Sequence, residues 1–197
     1  MSEQGMIIKR MADYDRDVRN DVAGVFVDAY YKDLSFFTKD KEKLKTAFKD
    51  TFCADIFYLA EIDGVIVGML ACANNKLRAI PTDKTSMKKG LGVVMGSIAY
   101  HLLKKEFSTP LTYPDDTAYI ESVATSQTAQ GKGVCTALFQ YVIKELQYHE
   151  YILEVVDTNE NAYRLYKKLG FTDTQRERVK HSKFKGFNEI IYMSYCK

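Results

Sequence analysis

The 197-residue chain has no tryptophan, three prolines, three histidines and four cysteines. No two of the cysteines form a C-x-x-C pair, and the few histidines add little to them, so the sequence predicts no zinc or other metal site. The pattern is typical of reduced thiols in a reducing compartment, and we therefore expect a cytoplasmic protein. The four cysteines are Cys53, Cys72, Cys135 and Cys196.

The chain also has no marked excess of one charge and no long apolar run. Its 28 basic and 26 acidic residues give a formal net charge of +2, so neither nucleic acid nor an anionic membrane is an expected partner. The longest apolar stretch, residues 65–73, is interrupted by Gly68 and is too short to span a bilayer. Residues 1–15 lack the apolar core of a signal peptide.

No linker or low-complexity segment divides the sequence, so we expect one domain over residues 1–197. Its hydrophobic periodicities predict a mixed α/β fold. The expected strands are 6–9, 55–61, 65–73, 118–125, 151–156 and two closing strands from 171 onward, the second at 189–195. The expected helices begin at 13, near 44, near 134 and near 162, and a helical insertion occupies 74–116. The basic segment 176–185 is predicted to be a solvated hairpin.

A glycine-bearing segment, Gln130-Gly-Lys-Gly-Val-Cys135, joins a predicted strand to a predicted helix. Glycines let the backbone approach a ligand closely. The first N–H groups of the following helix lack intrahelical partners and carry the positive end of the helix dipole. This arrangement favours a phosphate site. Two glycines alone are equally compatible with a turn that binds nothing.

Two segments together resemble the GNAT N-acetyltransferase superfamily. Residues 120–135, a strand followed by the glycine segment, are similar to the family's cofactor signature, and residues 159–171 are similar to a second family segment in the right order. One position departs from the family, because Cys135 stands where glycine or alanine is preferred. Cysteine is small, so we expect an intact cradle. A reactive thiol at the helix N-terminus is the alternative.

The resemblance implies a mostly antiparallel sheet flanked by helices, with splayed central strands and the insertion before the central strand. It further implies that the pantetheine arm of acetyl-coenzyme A (acetyl-CoA) fills the gap and that no metal takes part. The positions that match the family's cofactor contacts are Val123, Thr125, Gln130, Gly131, Lys132, Gly133, Val134, Cys135, Thr136 and Asn159.

The resemblance also implies two catalytic residues. Tyr166 matches the tyrosine that protonates the departing thiolate, although it is equally typical of a core residue on the apolar face of its helix. Glu121 matches a glutamate that acts as a base through water in some members, and an ion-paired strand residue is the alternative. Alternation along the strand predicts that Glu121 and Val123 share one face. Tyr119, on the same face, is a second candidate base.

Three functions follow for comparison. The first is an N-acyltransferase that acetylates a small-molecule amine or a protein amine. The second is a non-catalytic sensor that binds coenzyme A (CoA). The third is a dinucleotide-binding domain, which Gly131, Gly133 and Asp157 would suit, but Thr136 holds the place of the third glycine. The insertion 74–116 is expected to shape the acceptor pocket, or else to serve as packing or as the surface of a homodimer.

Overall fold

The computed structural model describes residues 5–180 and 186–197. These residues form a seven-stranded sheet in the order β1-β2-β3-β4-β5-β7-β6. Neighbouring strands run antiparallel, apart from the parallel pair β4–β5. The predicted mixed α/β fold with a mostly antiparallel sheet is confirmed. The strands are β1 Ile7–Arg10, β2 Phe57–Ile62, β3 Val65–Ala73, β4 Thr117–Thr125, β5 Glu150–Val156, β6 Thr172–Arg178 and β7 Glu189–Cys196.

Seven helices flank the sheet within the described residues. They are α1 Arg19–Ala29, α2 Tyr31–Leu34, α3 Lys41–Phe48, α4 Lys84–Leu91, α5 Val93–Ser108, α6 Val134–Glu145 and α7 Glu160–Lys168. Of the basic segment 176–185, residues 181–185 lie outside the described residues. None of the described helices is long and apolar enough to cross a membrane.

One helix prediction needed correction. The first helix does not begin near residue 13, because Met11–Asp13 form a separate 3-10 turn and α1 begins only at Arg19. The Asp17 carboxylate accepts a hydrogen bond from the Arg19 N–H at 3.0 Å and so satisfies an early amide of that helix. The insertion is helical, as expected, and Gly92 with a φ of 82° separates α4 from α5.

The tight turn between β2 and β3 follows from two residues. Asp63 and Gly64 have φ values of 51° and 78°, the left-handed pair that a two-residue hairpin turn requires. The predicted hairpin is confirmed by the pairing of Ile62 with Val65.

The sheet buries a separate hydrophobic cluster on each face. One cluster contains Phe26 of α1, Phe48 of α3 and Met69 of β3. The cluster on the other face contains Leu138 of α6 and Tyr166 of α7. The central strands are therefore covered on both sides, and any site between them is reached from the strand ends or from an uncovered part of a face.

Gly68 on β3 brings α6 unusually close to the sheet. A Cβ at this position would lie 2.5 Å from Cγ1 of Val134 and 3.3 Å from Cδ1 of Leu138. The first contact is shorter than real Cβ atoms make and the second is tight, so a side chain at this position would require Val134 to move away from the sheet. The first turn of α6 is thereby held directly over the middle of the sheet.

Candidate active site

The parallel strands β4 and β5 separate soon after they begin to pair. Thr117, Ala118 and Tyr119 pair with residues 150–152, and the pairing ends there, although β4 continues to Thr125 and β5 to Val156. A V-shaped gap therefore opens beside the second half of β4. The backbone groups of β4 that face this gap are available to an extended ligand, which can bind them as a further strand would.

A β-bulge lies in β4 at the same place. Ala71 of β3 pairs with Glu121, and Met69 pairs with Ala124, so β4 contains one residue more than β3 across this interval. Ser122 absorbs the extra residue with a φ of 52°. A bulge of this kind shifts the alternation of side chains by one residue, so the residues after it lie on the opposite faces of the sheet.

The bulge makes the predicted common face of Glu121 and Val123 wrong. Ala118 and Ile120 belong to the cluster under α6 and α7, and Val123 packs against that same cluster. Ala124, by contrast, belongs to the opposite cluster. Glu121 alternates with Ile120, so its side chain lies on the face opposite to Val123.

The glycine loop has the geometry that a phosphate cradle needs. Gly131 and Gly133 adopt φ values of 76° and 78°, and a Cβ at either position would meet open space. The bond from the Ala137 N–H to the Gly133 carbonyl, 2.9 Å, is the first of the helix ladder. The N–H groups of residues 134–136 precede it and have no intrahelical acceptor. The loop therefore fits a pyrophosphate, with Gly131 and Gly133 leaving room and α6 supplying donors.

The remaining cofactor positions flank this loop. Gln130 and Lys132 are exposed beside it, and Thr125 is the last residue of β4. Asn159 caps α7, and its side-chain oxygen accepts from the Ala162 N–H at 3.3 Å. The cap that the sequence allowed for Asn159 is thus present, and a contact with the cofactor arm stays a prediction.

Cys135 lies in the first turn of α6 and is partly buried. Burial raises the pKa of its thiol to about 12, even though a helix N-terminus acts in the opposite direction. The thiol is therefore protonated at neutral pH. This protonation argues against the reactive-cysteine alternative and is compatible with a small, inert lining residue.

Tyr166 projects from α7 into the cluster under α6 and is 8% exposed. Its ring packs against Phe139 and Phe171, with ring centroids 5.3 Å and 6.2 Å away. Burial, followed by the proximity of Cys135 and Tyr30, raises the pKa of its hydroxyl above the usual value for tyrosine. The phenol is therefore fully protonated at neutral pH and able to donate.

Tyr30, which the sequence analysis missed, reaches the gap from the opposite face. It follows the last residue of α1, and its hydroxyl donates to the Val123 carbonyl at 3.3 Å. The pKa of Tyr30 is raised by burial and by the nearby Glu121, Asp33 and Cys135. No local motif marks this tyrosine, because its partner lies 93 residues away along the chain.

Glu121 is bound by an arginine from the insertion. Nε of Arg78 donates to Oε1 at 2.9 Å, and Nη2 approaches Oε2 at 3.4 Å. The side chains of the glutamate and arginine are 9% and 13% exposed. The ion-paired alternative for Glu121 is therefore what the geometry shows, and its action as a base stays a prediction.

A group of tyrosines and carboxylates lines the sheet face beside the gap. Burial, followed by nearby Glu154 on β5 and Glu121, raises the pKa of Tyr119, and its ring stacks on Tyr113 at a centroid distance of 5.8 Å. The Tyr192 hydroxyl lies 3.4 Å from Oε2 of Glu177. We call Tyr113, Tyr119, Glu154, Glu177 and Tyr192 the tyrosine–glutamate face. Apart from Tyr119, sequence reasoning missed them, although alternation along β5 would have placed Glu154 opposite the buried Leu153.

Within the described ranges, 5–180 and 186–197, no three histidine, cysteine or acidic side chains are grouped as metal ligands would be. The chemistry available at the gap comes instead from a phenol on one face, carboxylates and phenols on the other, and backbone N–H groups at the end of α6. These groups suit binding of a phosphorylated, extended ligand and proton transfer beside it.

Structural comparisons show which known proteins share this fold. An N-acetyltransferase from Staphylococcus aureus Mu50 superposes with a TM-score of 0.64 at 19% identity, over 96% of this chain and 100% of that one. The ribosomal-protein-S18-alanine N-acetyltransferase of Escherichia coli gives 0.58 at 14% identity, over 98% and 94%. The ribosomal-protein-alanine N-acetyltransferase of Brucella melitensis gives 0.59 at 15%, over 97% and 99%. At these identities the likeness establishes the fold.

Sequence comparison establishes the family. No curated protein sequence matches the chain. The family model described as "Acetyltransferase (GNAT) family" matches residues 25–171, which include the insertion, the bulged strand, the glycine loop and Tyr166. The chain therefore belongs to the GNAT acetyltransferase family.

Proposed function

We propose that this protein transfers the acetyl group of acetyl-CoA to a primary amine by direct attack in a ternary complex. The observation that carries the proposal is the coincidence of two features, the gap between β4 and β5 and the glycine cradle of α6 at its end. A phosphate bound at the cradle is the anchor of a ligand whose pantetheine arm runs along β4.

The residues assigned to the cofactor are consistent with that placement. Gly131, Gly133 and the first N–H groups of α6 would hold the pyrophosphate, and the backbone of Val123 and Thr125 would bind the arm. Acetyl-CoA, when bound, supplies an acetyl group activated as a thioester. The Tyr30 hydroxyl already donates to the Val123 carbonyl and so fixes the backbone of β4 beside this group.

Tyr166 is the proposed general acid. It approaches the gap from the α7 face, whereas Glu121 and Tyr119 lie on the α1 face. An acid and a base on opposite faces can serve the leaving sulfur and the attacking nitrogen without competing for one proton. Because its pKa is raised, Tyr166 carries its proton throughout the neutral range.

A base is also needed, because an amine attacks only when it is neutral. Glu121 is the base that the family resemblance predicts, acting through water. Its ion pair with Arg78 occupies both carboxylate oxygens, so a water-mediated role would require the proton to be accepted at an already bound carboxylate.

The class of acceptor is the open part of the proposal. Two of the similar structures are named for an alanine of a ribosomal protein, which makes a protein N-terminus one class to test and a small-molecule amine the other.

We place the enzyme in the cytoplasm, which suits its four unpaired cysteines. Self-association through the insertion is a further part of the proposal.

The function is tested by thiol release from acetyl-CoA in the presence of a panel of primary amines and N-terminal peptides. We expect micromolar to millimolar KM values for an accepted amine, the ordinary range for enzymes. Calorimetry with CoA measures binding separately. Binding without transfer to any acceptor would favour the sensor, and absence of CoA binding would refute both functions.

A further inference from the structure

We propose that Tyr30, the residue that joins α1 to α2, holds the carbonyl of Val123 in place of a neighbouring strand and gives it up to the arm of CoA when CoA binds. The inference rests on the proposed function, because it concerns the ligand of the same gap. Three features carry it: the direction of the β4 backbone, the hydrogen bond between Tyr30 and Val123, and the fixed position of the Tyr30 ring.

The backbone of β4 beyond the bulge faces β3 and the gap in alternation. The Ser126 N–H donates to the Val67 carbonyl at 2.8 Å, so the backbone groups of Ser126 face β3. Hydrogen-bonded residues alternate along an antiparallel pair, so Ala124 also faces β3, whereas Val123 and Thr125 turn their N–H and C=O groups toward the gap. These are the groups that β5 would bind if the two strands stayed together.

The Tyr30 hydroxyl takes one of these groups. It donates to the Val123 carbonyl at 3.3 Å and so supplies the hydrogen bond that an N–H of a neighbouring strand would supply. An open strand edge is prone to pair with other chains, and a carbonyl that loses its partner costs free energy. The phenol therefore protects this edge until a ligand binds.

The hydrogen bond is long enough to be exchanged. A hydroxyl ordinarily lies about 2.5–3.0 Å from the oxygen that accepts from it, so the 3.3 Å contact of Tyr30 with Val123 is a weak one. An amide N–H on an extended ligand approaches a strand edge as a neighbouring strand does, at about 2.9 Å. The pantetheine arm is extended and contains amide groups, so it is suited to take the carbonyl from the phenol.

This exchange does not require the Tyr30 ring to move. The Tyr30 N–H donates to the Phe26 carbonyl at 3.0 Å, and the Tyr30 carbonyl accepts from the N–H groups of Asp33 and Leu34. The ring packs against that of Phe26 at a centroid distance of 4.9 Å. Because α1 and α2 fix both the backbone and the ring, the hydroxyl stays beside the gap after the exchange and can donate to the ligand or to water.

The exchange has a thermodynamic consequence that ordinary packing lacks. In the free protein the Tyr30 hydroxyl satisfies the Val123 carbonyl, and in the complex an N–H of the ligand satisfies it instead. Removing the hydroxyl therefore destabilises the free protein more than the complex. By linkage, a variant without the hydroxyl must bind CoA more tightly than wild type does. A tyrosine that only packs would stabilise both forms equally.

Calorimetry and thermal melts of wild type and Tyr30→Phe test the exchange, with CoA as the probe. We expect the variant to bind CoA about fivefold more tightly, which is about 1 kcal/mol at about 1.4 kcal/mol per tenfold, the net contribution of one hydrogen bond. Its melting temperature should lie below that of wild type without CoA, and saturating CoA should narrow the difference. The affinity for ADP, which has a pyrophosphate but no arm, should be unchanged.

Tyr151→Phe is the matched control. The Tyr151 hydroxyl also donates to backbone carbonyls, those of Val142 at 3.1 Å and Leu146 at 3.2 Å. These carbonyls lie at the C-terminal end of α6, at the opposite end of the helix from the glycine loop. We expect this variant to lower the melting temperature equally with and without CoA and to keep the wild-type affinity for CoA.

The outcomes separate this inference from the proposed function. Unchanged or weaker CoA binding by Tyr30→Phe, or an equal loss of melting temperature with and without CoA, would overturn the exchange and leave acetyl transfer standing. An equal gain in affinity for ADP would also overturn it, because the effect would then not concern the arm. Wild-type protein that binds no CoA would overturn both proposals, whereas CoA binding without transfer to any amine would overturn acetyl transfer alone.

Discussion

Arg78 and Glu121 form a nearly buried ion pair that joins the insertion to the central strand. The arginine Nε lies 2.9 Å from the carboxylate. The same guanidinium donates to the backbone carbonyls of Glu106, at 3.0 Å, and of Thr109. One side chain therefore fixes the end of α5 against β4 at the edge of the gap.

We expect Arg78→Met to destabilise the protein by about 3 kcal/mol in urea unfolding, because it leaves a buried carboxylate without a partner. Arg176→Met is the matched control, since Arg176 pairs with Asp173 at 2.8 Å on the surface. Such a pair contributes about 1 kcal/mol or less. The double variant Arg78→Met/Glu121→Met should recover part of the loss. Equal costs for the two arginines would contradict the prediction.

Tyr166→Phe should lower turnover by about 10²-fold or more, the usual effect of losing a general acid. Acetyl-CoA binding should barely change, because the proton is needed only as the carbon–sulfur bond breaks. Rapid-quench or stopped-flow thiol release measures the step. Tyr141→Phe is the control, since Tyr141 packs against the same cluster from α6, beside Tyr58. If Tyr166→Phe turns over normally, Tyr166 is a core residue and the acid is another group.

Gly133→Leu should abolish CoA binding in calorimetry, because its side chain would occupy the space where the phosphates bind. Gly64→Leu is closely matched, since both glycines have a φ of 78° and open space around the missing Cβ. Each substitution should cost about 1–2 kcal/mol through the left-handed backbone. Only the Gly133 variant should lose binding. Equal affinity in the two variants would rule out the loop as the phosphate site.

Glu154→Gln should raise the melting temperature at about pH 8 and leave it almost unchanged at about pH 4. The folded pKa of Glu154 lies above its usual value of 4.5, so the folded state binds this proton more tightly than the unfolded state. Its destabilising effect is absent below the usual pKa and complete above the folded pKa. A shift of the same size at both pH values would show that ionisation of Glu154 does not affect stability.

Local sequence patterns predicted most elements, because hydrophobic alternation and turn chemistry act over a few residues. The Asp63-Gly64 turn and the helix after Gly133 are examples. The break between α4 and α5 falls at Gly92. Because Gly90 and Gly96 lie in the same segment, the sequence did not show at which glycine the helix would end.

The features that were missed depend on residues far apart in the chain. The bulge at Ser122 has no glycine to mark it, and it reverses the face that simple alternation assigns to Val123. Arg78 reaches Glu121 across 43 positions. The residues that surround Glu154 come together only when β5 pairs with β4 in the folded sheet. The glycine loop could be predicted from a local motif, whereas the partners of Glu121 and Glu154 could not.

The short pairing between β4 and β5 divides the sheet into two parts, one formed by β1 to β4 and the other by β5 to β7. Three residue pairs join the two parts. Beyond these pairs, side-chain packing rather than backbone hydrogen bonding holds the two parts together. Amide hydrogens of β4 that face the gap should therefore exchange with solvent faster than those bonded to β3. A ligand that bridges the two parts of the sheet would slow this exchange, so protection of these amides would report that the gap is occupied.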